Sequence, residues 1–136
     1  MPIEQQWLIP DQVIGLRWWG HPTEEQLTMA DAEMAQILDA TQTPQIHFVS
    51  HELDLLTELP LKLYIQTKSP RHPRFGWYIV IQPRHNAFAR FITQMACTVL
   101  GLQFRIVESE EAAWKHLQRV NPQFTQPVSF SSRIAS

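Results

Sequence analysis

The segment Trp77-Tyr78-Ile79-Val80-Ile81 decides the fold class of this chain. It is apolar almost throughout, which is typical of a strand covered on both faces and therefore of a parallel sheet with flanking helices. The sequence on either side of it alternates between short β-rich runs and helical patterns. Strands that alternate with helices predict parallel pairing through right-handed crossovers.

The chain begins with a predicted β-hairpin, which adds an antiparallel edge to this sheet. Ile3, Trp7 and Ile9 share one period-2 pattern, Pro10-Asp11-Gln12 interrupts it, and residues 13–19 resume it. Trp18 and Trp19 point to opposite faces of the second strand, and we expect both to pack in the core.

The clearest helix lies over residues 24–40. Thr23 and Gln26 have the spacing of a capping box, and Glu24 and Glu25 occupy the first turn. The apolar residues recur at helical spacing and form one stripe: Leu27, Ala30, Met34, Ile37 and Leu38. Residues 46–50 then predict a short strand, and residues 61–67 a helix that Pro60 opens.

Two further helices and one strand complete the pattern. The first helix ends at Gly101, and its predicted core stripe is Phe88, Phe91, Ile92, Met95 and Val99. Residues 104–107 predict a strand, and Ser109 caps the last helix. We expect one core that buries Leu27, Ile37, Val80, Phe91, Met95 and Ile106. Truncation of Phe91 to Ala would then cost about 3–5 kcal/mol.

The predicted fold is therefore α/β, with a mixed sheet of about five strands and about four helices. Residues 1–121 form a single domain, and the polar, aperiodic residues 122–136 form a C-terminal tail. The 136 residues suffice for one domain, and 44% hydrophobic content excludes a disordered chain. The N-terminus lacks the parts of a signal peptide and no apolar run could span a bilayer, so we expect a cytoplasmic protein.

The charges are sorted by position. Residues 1–58 contain ten carboxylates and one cation, Arg17, whereas residues 59–107 contain seven cations and no carboxylate. Such poles can bind an anion, bind a second copy of the chain, or pair within the monomer. We expect Glu25, Asp31, Glu33 and Asp39 to face solvent. They predict a weak, salt-sensitive homodimer or a complex with another protein, with Arg71, Arg74 and Arg84 on the basic side.

Two basic loops flank the strand at residues 77–81 and are the candidate ligand-binding sites. The first contains Arg71 and Arg74; the second contains Arg84, His85 and Asn86 at the beginning of a helix, where anions are favoured. A five-residue strand separates the two loops by about 17 Å, so we expect them to be separate sites.

His47 and His51 are the only candidates for a metal or catalytic site. They lie four residues apart on one face of a strand, but no third ligand has a matching spacing. We therefore interpret them as ordinary strand-end histidines and expect no catalytic residue, no metal and no cofactor. The single cysteine, Cys97, excludes an internal disulfide and lies between core positions, which predicts an inert buried thiol.

Three local features resemble the STAS family (sulphate transporter and anti-sigma-factor antagonist) in its SpoIIAA-like form. They are the hairpin that ends at Trp18-Trp19-Gly20, the strand at residues 77–81 before a Phe-rich helix, and the run Phe104-Arg105-Ile106-Val107-Glu108-Ser109-Glu110-Glu111-Ala112-Ala113-Trp114. The resemblance covers residues 3–120. It implies a non-enzymatic regulatory or protein-interaction domain.

The chain departs from the regulatory members of that family at one motif. Those proteins carry Asp-Ser-Ser-Gly after the third strand, whereas this chain reads Ser50-His51-Glu52-Leu53-Asp54-Leu55-Leu56-Thr57-Glu58. A phosphate on Ser50 or Thr57 would be repelled by the nearby carboxylates, so the usual phospho-switch is not expected.

Two functional hypotheses remain. The first is the STAS-like interaction domain, whose partner is another protein or a second copy. The alternative is a protein or enzyme that binds a small anion at Arg71–Arg74 or at residues 84–86. A nucleic-acid partner is disfavoured by the net charge of −2.

Overall fold

The computed structural model describes residues 3–55, 61–82 and 87–124, and the side chains of all these except 53–55. The strands are β1 (Ile3–Ile9), β2 (Val13–Gly20), β3 (Ile46–Leu55), β4 (Phe75–Ile81) and β5 (Phe104–Val107). The helices are α1 (Glu24–Ala40), α2 (Leu61–Ile65), α3 (Ala87–Leu100) and α4 (Glu110–Val120), with a 3-10 turn at Ser69–Arg71. None of the described helices is long and apolar enough to cross a membrane.

The predicted mixed sheet is confirmed, and its strands follow one another in chain order. β1 pairs antiparallel with β2, and the pairs β2–β3, β3–β4 and β4–β5 are parallel. Because successive right-handed crossovers return on the same side, α1, α2 and α3 cover one face of the sheet. We call this the α1 face, and the opposite one, covered by α4, the α4 face.

Each face has its own apolar core. On the α1 face, Leu27, Met34 and Leu38 of α1 pack against Ile14, Leu16, Ile46 and Phe48 of the sheet. On the α4 face, Ala113, Trp114 and Leu117 pack against Val49, Ile79, Ile81 and Val107. Phe124, which lies within the predicted tail, is also buried on this face. Trp18 is buried in the α1-face core and Trp19 is half-buried.

Strand β3 extends five residues beyond the strand predicted at residues 46–50. Its second half, His51-Glu52-Leu53-Asp54-Leu55, mixes polar residues with leucines, and the predicted strand ended before it. The backbone nevertheless stays extended because it pairs with β2 on one side, where Arg17 lies opposite His51 and Trp18 opposite Glu52. His47 and His51 consequently lie inside a central strand, which corrects their interpretation as strand-end residues.

A β-bulge in β4 shapes the α1 face. Ile46 pairs with Phe75 and Phe48 with Tyr78, so two residues of β4, Gly76 and Trp77, lie opposite the single residue His47. The Trp77 N–H donates to Nδ1 of His47 at 2.9 Å and so keeps a partner. The bulge brings Phe75 and Tyr78 to the same face, where Phe75 stacks on Phe48 with ring centroids 4.3 Å apart.

The predicted core stripe of α3 is wrong. Ala96 and Cys97 are the buried residues of this helix, whereas Phe88, Phe91, Met95 and Val99 are exposed, and Ile92 is half-buried. Leu27 and Val80 are buried as expected, and Ile37 and Ile106 are half-buried. The sequence of α3 has a clear apolar side and a polar side with Arg90, Thr93, Gln94 and Thr98. In the structure the large apolar residues face outward, which local periodicity does not predict.

The acidic helix and the basic loop are joined within the chain. Asp31, predicted to face solvent, is buried, and its carboxylate accepts hydrogen bonds from the N–H groups of Lys68 and Ser69, both at 2.8 Å, and from the Ser69 hydroxyl at 2.6 Å. Asp39 pairs with His72 at 2.8 Å, and Arg74 donates to the Leu38 carbonyl at the end of α1. Glu25 and Glu33 are exposed as expected. Asp31 and Arg74 are therefore bonded to backbone groups of the chain, which fasten the acidic helix to the basic loop.

The bulge predicts a strong effect of Gly76→Ala. A Cβ at this position would lie 2.5 Å from Nδ1 of His47, so the imidazole would have to move and release the Trp77 N–H. We expect a loss of about 1–3 kcal/mol in the free energy of unfolding, measured by urea denaturation. The double variant with His47→Ala should recover part of this loss. A Gly76→Ala protein as stable as the wild type would contradict the packing of His47 on Gly76.

Candidate functional site

A cavity of about 300 Å³ lies between the α1 face of the sheet and the helices α1, α2 and α3. Its wall is mainly apolar, with Leu16 and Trp18 from the sheet, Leu27 and Met34 from α1, and Ala89, Ile92, Ala96 and Leu100 from α3. Tyr64, Phe75, Tyr78 and Phe88 add aromatic rings. Cavities of this size and composition are typical of small-molecule sites.

One polar cluster interrupts this wall. Glu52 of β3 and Thr93 of α3 both line the cavity, and Gln82, just after β4, connects them. The amide nitrogen of Gln82 donates to Oε2 of Glu52 at 2.8 Å and to Oγ1 of Thr93 at 2.7 Å. Gln82 is 1% exposed, and its Oε1 atom has no hydrogen-bond partner within the described part of the chain. Buried polar atoms without a partner are rare in native structures.

Burial changes the protonation of the groups around the cavity. It raises the pKa of Glu52 from 4.5 to about 7, and the hydrogen bond from Gln82 opposes this rise. Burial also raises the pKa of the Tyr78 hydroxyl above its ordinary value and that of the Cys97 thiol to about 12. Cys97 is therefore a neutral thiol near neutral pH, in agreement with the sequence prediction of an inert buried cysteine.

The charged residues that line the cavity within the described chain are Asp31 and Glu52. Asp31 already accepts hydrogen bonds at both carboxylate oxygens from Lys68 and Ser69. Glu52 is bonded through Oε2 to a neutral amide. The cavity therefore has acidic character and no cation in its described lining.

The buried Glu52 predicts that stability falls as the pH rises. Since the pKa of Glu52 is higher in the folded protein, the folded state holds the proton of this carboxyl group more tightly than the unfolded chain does. The stability that this difference provides is lost as the pH rises from about 5 to about 8. We expect Glu52→Gln to be about 2–3 kcal/mol more stable than the wild type at pH 8 and to show a smaller difference at pH 5. Chemical denaturation at both pH values measures this, with the exposed Glu111→Gln on α4 as the matched control. Equal stabilisation at both pH values would contradict a proton held on Glu52.

Two of the sequence-predicted ligand residues, Arg71 and Arg74, do not line this cavity. Arg71 donates to the Thr67 carbonyl and Arg74 to the Leu38 carbonyl, so both guanidinium groups are bonded to the chain's own backbone. They lie before β4, at the edge of the sheet where the parallel strands begin. Arg84, His85 and Asn86 lie outside the described residues.

His47 and His51 share the α4 face, as their spacing predicted. The ring of His47 packs edge-on against Phe124, and His51 Nδ1 lies 3.7 Å from Glu110 of α4. Across residues 3–55, 61–82 and 87–124, no group of three or more His, Cys, Asp or Glu side chains is placed to hold a metal. Burial lowers the pKa of His47 and His51, with further lowering by His116 and Arg17 respectively.

These histidines predict a loss of stability in acid. Because their pKa values are lower in the folded protein, the unfolded chain binds the protons more readily once the pH falls below about 6.5. We expect the free energy of unfolding to decrease between pH 7 and pH 5 on this account. His47→Asn keeps an acceptor for the Trp77 N–H but cannot ionise, and should make this decrease smaller. Chemical denaturation of both proteins between pH 7 and pH 5 measures this decrease, and the exposed His21→Asn variant is the control. If the free energy of unfolding of His47→Asn falls with pH as steeply as that of the wild type, His47 is not the residue responsible.

Sequence reasoning missed the cluster of Glu52, Gln82 and Thr93. The sequence analysis named Glu52 only within the segment that stands in place of the family's phosphorylation motif, because the strand was expected to end at Ser50. With β3 extended to Leu55, Phe48, Ser50 and Glu52 alternate onto the α1 face, and period-2 counting from Phe48 places the carboxylate inside. A β3 strand continued past Ser50 was therefore the sequence signal that would have placed Glu52 on the α1 face.

Comparisons with known proteins agree with this architecture. The chain is similar to the structure of the anti-sigma factor antagonist SpoIIAA in its unphosphorylated form, with a TM-score of 0.56, 12% identity, and coverage of 88% of this chain and 96% of that one. The structure of the Bacillus cell fate determinant SpoIIAA in the phosphorylated form gives a TM-score of 0.53, 11% identity, and coverage of 85% and 98%. This chain has the STAS-like fold of SpoIIAA.

The likeness at this level of identity concerns the fold. No family model matches the sequence. No curated protein matches it either. Within the STAS-like fold, Ser50 lies in the middle of β3 and is fully buried, and Thr57 lies outside the described residues.

Proposed function

We propose that this protein is a non-enzymatic STAS-like interaction domain that docks a partner protein through α3. The observation that carries the proposal is the exposed apolar stripe of this helix: Phe88 is 74% exposed, Phe91 55%, Met95 40% and Val99 55%. These four residues follow one another at spacings of three or four, so they form one continuous surface. We call this surface the α3 stripe.

The size of the α3 stripe indicates the kind of partner. Its four side chains expose on the order of 400 Å² of mostly apolar surface. A patch of this size on a monomer is often functional, but it supplies only about half of what one side of a standard interface buries. The partner is therefore a different protein that binds reversibly and presents a complementary apolar groove, and not a second copy in a permanent dimer.

Two further observations support an interaction domain over the anion-binding alternative. The guanidinium groups of Arg71 and Arg74 are bonded to the chain's own carbonyl groups, so an anion would have to displace these bonds. Ser50, one of the two hydroxyls in the segment compared with the family's phosphorylation motif, is fully buried in β3. We infer that the domain works without a phosphate on Ser50.

The exposed position of Phe91 predicts that its removal affects binding and leaves folding intact. We expect Phe91→Ala to cost less than about 1 kcal/mol in the free energy of unfolding, whereas Ile79→Ala, in the buried core, costs about 2–5 kcal/mol. Urea denaturation of both variants measures this. A cost of several kcal/mol at Phe91 would mean that the α3 stripe belongs to the core.

Binding itself is tested with Phe91→Asp and a matched control. A partner recovered from extracts of the native cells is purified and titrated against the wild type, Phe91→Asp and Met29→Asp, which alters an exposed apolar residue of α1 outside the α3 stripe. We expect a one-to-one complex that Phe91→Asp weakens at least about tenfold and Met29→Asp leaves unchanged. Equal affinity for Phe91→Asp and the wild type would overturn the docking surface. A stable dimer of the wild type alone at micromolar concentration would overturn the choice of partner.

A further inference from the structure

We propose that the cavity beneath α3 binds a small apolar amine, with the ammonium group of the ligand against Glu52 and its apolar body among the aromatic rings. This inference goes beyond the proposed function, because it assigns a small-molecule site that does not depend on a protein partner. It is carried by three features of the cavity: its charge, its aromatic wall and its hydrogen-bonding groups.

The charge of the cavity selects a cation. Among its described lining residues, the charged ones are two carboxylates, Asp31 and Glu52. Asp31 is committed to the turn at Lys68 and Ser69, so Glu52 is the carboxylate available to a ligand. A buried carboxylate is costly unless it is paired or neutralised. A ligand ammonium would supply the missing pair, whereas a ligand carboxylate or phosphate would meet like charge in a poorly solvated site.

The aromatic wall suits the same ligand. Trp18, Tyr64, Phe75, Tyr78 and Phe88 all line the cavity. The faces of aromatic rings carry partial negative charge and attract cations, while the rings also bury the apolar part of a ligand. The volume of about 300 Å³ is at the lower end of the range for ligand pockets, which limits the ligand to about one ring and a short chain.

The hydrogen-bonding groups match a primary ammonium. Three oxygen acceptors belong to the polar cluster: the Glu52 carboxylate, Oγ1 of Thr93 and Oε1 of Gln82. The first two accept from the Gln82 amide nitrogen, and Oε1 of Gln82 has no partner among the described residues. A primary ammonium has three donors and no acceptor. Of these groups, Glu52 and Thr93 line the cavity and offer acceptors to a ligand that only donates, and Gln82 holds both in place through its amide nitrogen.

The test compares three probes that differ in one group: 4-phenylbutylamine, 4-phenylbutanol and 4-phenylbutyrate. Isothermal titration at pH 8 measures their dissociation constants for the full chain. We expect the amine to bind at least about tenfold more tightly than the alcohol, and the carboxylate most weakly. A carboxylate that binds as tightly as the amine, or no binding of the amine at millimolar concentration, would overturn the proposal.

Variants locate the site. Glu52→Gln should remove the preference for the amine over the alcohol, while Glu111→Gln on the other face of the sheet should preserve it. Ala96→Leu fills the cavity from α3 and should weaken all three probes with Glu52 still in place. Thermal unfolding of each variant shows whether it is folded. Unchanged amine affinity in folded Glu52→Gln or in folded Ala96→Leu would overturn the proposed site.

The pH dependence of binding provides a second measurement on the wild type. The titratable groups that face Glu52 in the cavity are Asp31 on α1, Tyr64 on α2, Tyr78 on β4 and Cys97 on α3. Burial raises the pKa values of Tyr78 and Cys97, so these two remain neutral below pH 8. With a Glu52 pKa of about 7, the ionised form grows about tenfold between pH 6 and pH 8.

The amine should therefore bind about tenfold more tightly at pH 8 than at pH 6. At pH 7 it should release protons, detected as a binding heat that depends on the buffer. The alcohol should show neither effect. An amine affinity that is independent of pH would overturn the pairing with Glu52. Phe88 lines the cavity and also belongs to the α3 stripe, whereas the variants at Glu52, Glu111 and Ala96 lie outside the stripe. Failure of these measurements therefore leaves the proposed function standing, and failure of docking at Phe91 leaves this site standing.

Discussion

The pairing of β3 with both neighbouring strands is the constraint on which the rest of this structure depends. The strand lies at the centre of the sheet, and its alternation sends Phe48 and Glu52 to the α1 face and His47 and His51 to the α4 face. Because its backbone hydrogen bonds are made with β2 and β4, the strand tolerates polar side chains that would otherwise end it. The buried carboxylate and the buried histidines therefore have the same origin.

The cavity and the α3 stripe are two consequences of the orientation of one helix. Helix α3 presents its small residues, including Ala96, to the sheet and leaves its large ones outside. Small side chains fill less space beneath the helix, and this leaves the cavity that Glu52 and the aromatic rings line. Large apolar side chains on the outside create a surface that water solvates poorly. Phe88 belongs to both, so the internal site and the external one meet at this residue near the beginning of α3.

Electrostatics act differently in the three places where charge is concentrated. Between α1 and the basic loop, Asp31 accepts hydrogen bonds from backbone N–H groups, Asp39 contacts His72 and Arg74 donates to a backbone carbonyl, and these contacts tie the 3-10 turn to the helix. On the α4 face, burial keeps the histidines neutral. On the α1 face, burial favours the protonated form of Glu52. A lower pH therefore decreases the stability that the α4 face provides, through its histidines, and increases the stability that the α1 face provides, through Glu52.

The sequence by itself determined the order of the elements, the capping box of α1 and the mixed sheet, because period-2 and helical patterns and cap residues are local signals. Thr23 and Gln26 cap α1 as their spacing predicted. Only the tertiary structure decided which side of α3 is buried, since the apolar side that the sequence pattern marks as core faces outward and Ala96 and Cys97 face the sheet. It also decided that Asp31 and Glu52 turn inward, because their partners, Ser69 and Gln82, lie about 30 or more residues away along the chain. Local pattern cannot report contacts of that separation, and the candidate site depends on them.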